Sequence, residues 1–135
     1  MLHPAGKILL VPRYTRSMLR RNPNTLFVFG DNVARVGYGG QAAEARGEPN
    51  SVGIVTKLSP SKFFSDADFD IARPLVVKAF NRLGMHLQAG LNVVWPKDGV
   101  GTGLAQLPER APEIWQGIEA CREYLFLYAD SVITE

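Results

Sequence analysis

Short apolar runs punctuate the chain, and longer segments with apolar residues at helical spacing separate them. Short apolar runs bounded by turn residues are typical of buried β-strands. We therefore predict four strands, at residues 7–12, 25–30, 51–56 and 91–96. A fifth run, residues 125–129, either forms another strand or ends the last helix.

Helical periodicity fills the segments between these strands. We predict helices at residues 15–21 and 39–47, a third from Ser65 to Gly84, and a last one that begins near Pro108. Proline at the first position and glycine after the last are the usual helix boundaries, because proline needs no hydrogen-bond acceptor and glycine tolerates a positive φ.

The third predicted helix has two special positions. Ser65 is followed three residues later by Asp68, a variant of the capping box in which each residue bonds the backbone of the other. Pro74 falls inside the periodic segment, where it either kinks the helix or marks its true first turn.

Strands that alternate with helices predict an α/β fold, here a three-layer α/β/α domain with a mainly parallel mixed sheet. The length of 135 residues suits one domain, so we predict a single domain over residues 1–135. In sheets of this kind ligands bind outside the carboxyl ends of the strands. Functional residues are therefore expected in the loops that follow the predicted strands.

Composition excludes several classes of function. A net charge of +2 suits an anionic small ligand or an occasional nucleic-acid contact, but it is too small for a basic nucleic-acid footprint. The single cysteine, Cys121, excludes an internal disulfide, and two histidines without metal-type spacing argue against a metal site or a cofactor. Without a signal peptide or a long apolar span, the sequence predicts a cytoplasmic protein with no membrane partner.

Two glycine clusters follow predicted strands. The first glycine loop, residues 30–40, reads GDNVARVGYGG, and the second glycine loop, residues 97–105, reads KDGVGTGLA. Glycine lets several backbone N–H groups face one concavity, and such a nest binds anions. Two nests side by side suit a diphosphate, although glycine-rich loops also serve as plain turns. The residues match neither a Walker A loop nor a Rossmann fingerprint.

Polar residues mark the ends of three predicted strands. Asp31 and Asn32 follow residues 25–30, Lys57 follows residues 51–56, and Asp98 follows residues 91–96. They either converge on one pocket or serve as turn formers and a solvated lysine. Two further residues also leave alternatives open: Tyr38 either stacks on a base or ribose or covers the loop, and Arg46 pairs with Glu44 or with a phosphate.

In this order the residues resemble the macro domain family of ADP-ribose-binding modules, over about residues 25–120. TLFVFGDN…GYGGQA resembles the first ligand loop of that family, and NVVWPKDGVGTGLAQLP resembles the second. In the family these loops clasp the diphosphate of ADP-ribose. The resemblance implies ADP-ribose, or a related nucleotide, as ligand, with an ADP-ribosylated protein or nucleic acid as a candidate partner. The implied ligand-binding residues are Gly30, Asp31, Asn32, Gly37, Tyr38, Gly39, Gly40, Gln41, Thr56, Gly99, Val100, Gly101, Thr102, Gly103 and Leu104.

The sequence looks most similar to the terminal ADP-ribose protein glycohydrolase branch, which includes antitoxins that remove ADP-ribose from DNA. GIVTK places Lys57 on the catalytic lysine of that branch, while GTGLAQL places Ala105 where the branch has its catalytic aspartate. In the better-known hydrolase branch, Asn32 matches the second asparagine of the first loop, and Ala42 replaces an aspartate. The family's acidic contact to adenine has no counterpart in VPRYTRS.

Three functions remain open at this point. A hydrolase would use Lys57 as nucleophile and Asp98 as acid or base in place of the missing aspartate. A binding module would hold ADP-ribose or a related nucleotide without chemistry, which the alanines at 42 and 105 favour. An accessory protein would contact nucleic acid through a basic edge formed by Arg13, Arg16, Arg20 and Arg21. The sequence leaves the oligomeric state undetermined.

Overall fold

The computed structural model of the protein describes residues 4–135, so Met1, Leu2 and His3, which the predicted domain includes, lie outside the described residues. The strands are β1 (Ile8–Val11), β2 (Leu26–Asn32), β3 (Ser51–Ser59), β4 (Lys62–Phe63), β5 (Val93–Pro96) and β6 (Val132–Thr134). The helices are α1 (Arg16–Arg21), α2 (Ala42–Ala45), α3 (Phe69–Gln88), α4 (Leu107–Arg110) and α5 (Pro112–Tyr128), with a 3-10 turn at Asp66–Asp68 before α3.

The six strands form one sheet in the order β4-β3-β2-β5-β1-β6. All neighbouring strands pair in parallel except β3 and β4, which form a short antiparallel hairpin. The predicted mainly parallel mixed sheet is therefore confirmed. The pairing of β2 with β5 determines where the site lies, because the first glycine loop follows β2 and the second follows β5.

Helices cover both faces of the sheet, as the alternation of side chains along β2 shows. Leu26 and Val28 pack into a core with α3 and α5, whereas Phe27 and Phe29 pack into a second core with α1 and α2. Successive strand residues point to opposite faces, so an almost fully apolar strand must be covered on both sides. This arrangement confirms the predicted three-layer α/β/α fold.

Several predicted boundaries are wrong, for identifiable reasons. Helix α3 continues past Gly84 to Gln88, because a glycine with an ordinary helical φ does not end a helix by itself. Pro74 lies inside α3 at an exposed position, where water can satisfy the carbonyl group that its missing N–H leaves free. The capping box of Ser65 and Asp68 is confirmed, although it caps the 3-10 turn.

The ends of the chain and the two short helices also differ from prediction. Residues 125–129 end helix α5, and the sixth strand, β6, was not predicted. The predicted helix at residues 39–47 shortens to α2, since Gly40 takes a left-handed φ of 56°. The last predicted helix divides into α4 and α5 at Ala111, because Pro112 begins a new helix.

Two of the predicted strands are longer than expected. Strand β2 continues through Asp31 and Asn32, and strand β3 continues through Lys57 to Ser59. These three polar residues therefore lie within strands and not in the loops that follow them. Among residues 4–135, no helix is both long and apolar enough to cross a membrane.

Two glycine substitutions test the packing of the fold. We expect Gly6→Ala to lower the free energy of unfolding by at least about 2 kcal/mol, because its Cβ would lie 1.7 Å from the carbonyl oxygen of Leu91. Gly84→Ala is the control: its Cβ meets no atom within 4 Å, and alanine should raise the free energy of unfolding by about 0.5–1 kcal/mol. Urea denaturation measures both, and equal effects would contradict the packing described here.

Candidate functional site

A cavity of about 380 Å³ lies at the carboxyl ends of β2, β3 and β5. Both glycine loops contribute to its wall, because the strands that precede them are neighbours in the sheet. This is the position at which α/β sheets bind ligands. The lining residues that the sequence predicted are Gly30, Asp31, Asn32, Gly37, Tyr38, Gly39, Gly40, Gln41, Thr56, Lys57, Gly99, Val100, Gly101, Gly103 and Leu104.

Two predicted site residues do not line the cavity. Asp98 is exposed in a turn closed by the hydrogen bond from Gly99 N–H to the Pro96 carbonyl oxygen at 2.9 Å, and Gly99 has a left-handed φ of 90°. Thr102 is exposed as well, and its hydroxyl donates to the carbonyl oxygen of Asp98 at 2.9 Å. The structure therefore brings Lys57 to the cavity without Asp98.

The first glycine loop presents a run of unused backbone donors. Among residues 4–135, no protein acceptor receives the N–H groups of the five residues from Gly37 to Gln41. Gly37 and Gly40 have left-handed φ values of 91° and 56°, which turn successive peptides in a way that other residues rarely allow. Helix α2, which follows this loop, has four residues and is too short to add a substantial helix dipole. The donors of this loop are its own N–H groups.

The second glycine loop presents a similar run. The N–H groups from Val100 to Ala105 also have no acceptor within the described part of the chain. Besides the carbonyl group of Asp98, two more in this loop are occupied: that of Gly101 accepts from Leu107 N–H at 2.9 Å, and that of Gly103 accepts from Gln106 N–H at 3.1 Å. The loop thus ties carbonyl oxygens back to α4 and leaves N–H groups free, which is the property of an anion nest.

A buried carboxylate holds the base of the first loop. The Asp31 side chain is 4% exposed, and its Oδ1 accepts from Arg46 Nη2 at 2.6 Å and from the N–H of Asn32 at 2.8 Å. Its Oδ2 accepts from Arg35 Nη1 at 2.9 Å. Both oxygens of the Asp31 carboxylate are therefore engaged within the protein, by two arginines and one backbone N–H.

The other polar side chains of the wall hold the backbone of the loops. Asn32 donates from Nδ2 to the carbonyl oxygen of Val36 at 2.7 Å, and Thr56 donates to that of Asp31 at 3.1 Å. The Gln41 side chain bonds the backbone of Tyr14, donating at 2.6 Å, so only its N–H group remains free for a ligand. Their role is to shape the cavity.

Lys57 is the one lining lysine in the described chain. Its Nζ donates to the carbonyl oxygen of Pro60 and lies 4.7 Å from the centre of the Phe63 ring. The β3–β4 hairpin, which contains both residues, thus holds the ammonium group at the edge of the cavity. With Arg46, Lys57 leaves the wall with more positive than negative charge, because Asp31 is already shared between two arginines.

The cavity mouth is apolar. Tyr38 from the first loop is 69% exposed, Leu104 from the second loop is 82% exposed, and Val36 is also exposed. Large apolar side chains that stand free at a concave site are available to cover the flat face of a sugar or base. Among residues 4–135, no group of three His, Cys, Asp or Glu side chains is arranged to hold a metal ion.

Six further residues line the cavity that were not among the predicted site residues. These residues are Val36, Ala42, Arg46, Pro60, Pro96 and Ala105. For Arg46 the sequence left two partners open, Glu44 or a phosphate; its carboxylate partner within the chain is instead Asp31, 15 positions away. No local pattern signals such a pair. Pro60 belongs to a hairpin that the apolar runs did not reveal.

The basic edge predicted on α1 is partly neutralised. Arg16 Nη1 and Arg20 Nε both donate to Oε1 of Glu48, at 3.0 Å and 2.8 Å. The hydrogen bond from Arg16, with the nearby charge of Arg20, holds the pKa of Glu48 below its ordinary value. Two of the four arginines considered for nucleic-acid contact are therefore engaged within the protein.

Replacement of the buried carboxylate tests the base of the first loop. We expect Asp31→Asn to lower the free energy of unfolding by about 3 kcal/mol, because it leaves the mostly buried Arg46 charge without its counter-ion. Glu119→Gln is the control, since its pair with Arg122 lies within one helix at a more exposed position and should contribute less than about 1 kcal/mol. Urea denaturation distinguishes them; a small loss for both would show that Asp31 does not anchor the loop.

Comparison with known proteins places the chain in a family without assigning it an activity. No curated protein and no solved structure matches the chain significantly. A protein family described as a family of unknown function, DUF7831, matches residues 9–121, which include both glycine loops and Lys57. The match covers most of the chain, and the protein therefore belongs to the DUF7831 family.

Proposed function

We propose that the protein binds ADP-ribose, either free or attached to a modified partner, in the cavity between its glycine loops. One observation carries the proposal: two runs of backbone N–H groups without protein acceptors border a single cavity. Donors of this kind, mostly on exposed residues, are free to bind water or a ligand. A diphosphate supplies several acceptor oxygens close together, and each loop can take one phosphate.

Three further features support a nucleotide with a sugar beyond its diphosphate. The wall carries surplus positive charge from Arg46 and Lys57, which suits an anion. Tyr38 and Leu104 offer apolar surface at the mouth for a ribose or base. The resemblance of both loops to the macro domain family points to the same ligand, and the loops lie at adjacent strand ends as that resemblance requires.

The geometry favours binding over hydrolysis. A hydrolase needs a second group beside Lys57 that can move a proton. Asp98 does not line the cavity, Ala105 lines it where the resembling branch has aspartate, and Asp31 is occupied by two arginines. The Lys57 amino group donates to the carbonyl oxygen of Pro60, which holds it at the edge of the cavity. We therefore propose a binding module.

A calorimetric titration tests binding, with AMP, ADP and NAD as comparison ligands. We expect ADP-ribose to bind at least about tenfold more tightly than AMP, because AMP fills only one nest.

Two variants at Gly39 distinguish the effect of an added charge from that of added side-chain volume, because a Cβ at this position meets no atom within 4 Å. Gly39→Ala should change the affinity less than about threefold, whereas Gly39→Asp should weaken it at least about tenfold by placing a carboxylate among the N–H groups.

Failure of wild-type protein to bind any of the four nucleotides would refute the proposal. Equal affinities of the two Gly39 variants would mean that the ligand does not use the first loop. Circular dichroism of both variants, which should match the wild type, excludes unfolding as the cause.

A release assay tests whether the cavity is catalytic. We expect wild-type protein and Lys57→Ala to leave ADP-ribosylated protein and ADP-ribosylated DNA equally intact, since the wall lacks a free acid or base beside Lys57. Chromatography of released ADP-ribose measures this, with buffer as the reference. Release by the wild type that Lys57→Ala abolishes would instead identify a hydrolase with Lys57 in its centre.

A further inference from the structure

Arg46 joins the first glycine loop to the buried carboxylate. Its side chain is 14% exposed and lines the cavity. Nε donates to the carbonyl oxygen of Gly37 at 2.6 Å, and Nη2 donates to Asp31 Oδ1 at 2.6 Å and to the carbonyl oxygen of Val36 at 3.2 Å. The guanidinium also lies 5.6 Å from the centre of the Phe29 ring. Its position is fixed from several sides.

One edge of this guanidinium is unused. Within residues 4–135, Nη1 of Arg46 has no hydrogen-bond acceptor, although the other two nitrogens donate to three oxygens. Arginine remains charged and carries five donors. Among residues 4–135, Nη1 of Arg46 is not one of the buried polar atoms that lack a partner, so it is accessible to solvent and to an acceptor in the cavity.

The charge around Arg46 favours an anion as that acceptor. Asp31 is paired with both Arg46 and Arg35, so the cluster has one positive charge in excess. Arg35 is the more exposed of the two arginines and does not line the cavity. The excess charge is therefore presented to the cavity by Arg46.

We propose that Arg46 recognises a phosphate group of the ligand through Nη1, while Nε and Nη2 hold the loop. This inference rests on the proposed function and adds to it a side chain that reads phosphate, beside nests made only of backbone. A rigid, planar guanidinium matches the geometry of phosphate oxygens. Because Arg46 also binds the carbonyl oxygens of Val36 and Gly37, these oxygens cannot point into the cavity and repel an anion. The ligand class is thus one in which a phosphate is required and ribose alone is insufficient.

Conservative substitutions of the two arginines that pair with Asp31 test the assignment of phosphate recognition to Arg46. Arg46→Lys keeps the positive charge but removes the fork of donors, and Arg35→Lys makes the same change at the partner that does not line the cavity. The measurement is calorimetric titration of each protein with pyrophosphate and with ADP-ribose, and with ribose as the uncharged ligand. We expect Arg46→Lys to weaken binding of both phosphate ligands about 10- to 100-fold and Arg35→Lys less than about threefold. Ribose should bind none of the proteins measurably.

A second measurement uses wild-type protein alone and does not depend on the folding of a variant. During a pyrophosphate titration followed by nitrogen-proton NMR, we expect the Arg46 side-chain resonances to shift together with the amide resonances of Gly37–Gln41. Those of Arg35 should stay in place. Amide shifts without any Arg46 shift would overturn the inference.

The outcomes separate the two proposals. If wild-type protein binds ADP-ribose and Arg46→Lys binds it equally well, Arg46 is not a phosphate-recognition residue, and the proposed function stands. If wild-type protein binds neither pyrophosphate nor ADP-ribose, both proposals fail. If the two lysine variants lose affinity equally, the effect belongs to the Asp31 cluster as a whole, and the specific assignment to Arg46 is overturned.

Discussion

The shape of the cavity depends on one buried interaction, the pairing of Asp31 with Arg46. A carboxylate at this depth is tolerated only when charged donors compensate for its lost hydration. The compensation comes from Arg46, from Arg35 and from the N–H of Asn32. Room for the carboxylate comes from Gly53 on the neighbouring strand, where a Cβ would lie 2.4 Å from Asp31 Oδ2. The pair thereby connects strand β2, the first glycine loop and the end of helix α2.

As a consequence, the side chains of the site hold the loops in place, and backbone N–H groups remain as donors for a ligand. Three polar side chains of the wall bind carbonyl oxygens of the first loop, namely Asn32, Arg46 and Thr56. Because those oxygens are engaged, the surface that remains is rich in N–H groups. The glycines are needed at positions such as 37 and 101, where φ is 91° and 85° and other residues would be strained. A site of this kind has little side-chain chemistry and much positive potential.

The sequence predicted the architecture and most of the wall, because both follow from local patterns. Alternating apolar runs and helical periods specify the layers, and glycines after strands mark the loops at the carboxyl ends. Ion pairs between residues far apart in the sequence produce no local pattern of this kind. The Asp31–Arg46 pair spans 15 residues, and it was visible only once the strand end and the end of α2 were brought together. Asp98 failed to reach the wall for a local reason, a turn at Gly99, that residue type alone did not reveal.

The short pairing between β2 and β5 links ligand binding to the stability of the sheet. The two halves of the sheet, β4-β3-β2 and β5-β1-β6, meet along a seam that is registered through only two residue pairs, Leu26 with Val93 and Phe27 with Val94. The first glycine loop belongs to one half and the second belongs to the other. An anion that bound both loops, as proposed, would bridge that seam, and because it would bind the folded protein alone, it would raise the free energy of unfolding as its concentration rises above its Kd. Occupancy of the cavity and integrity of the fold are then one linked equilibrium.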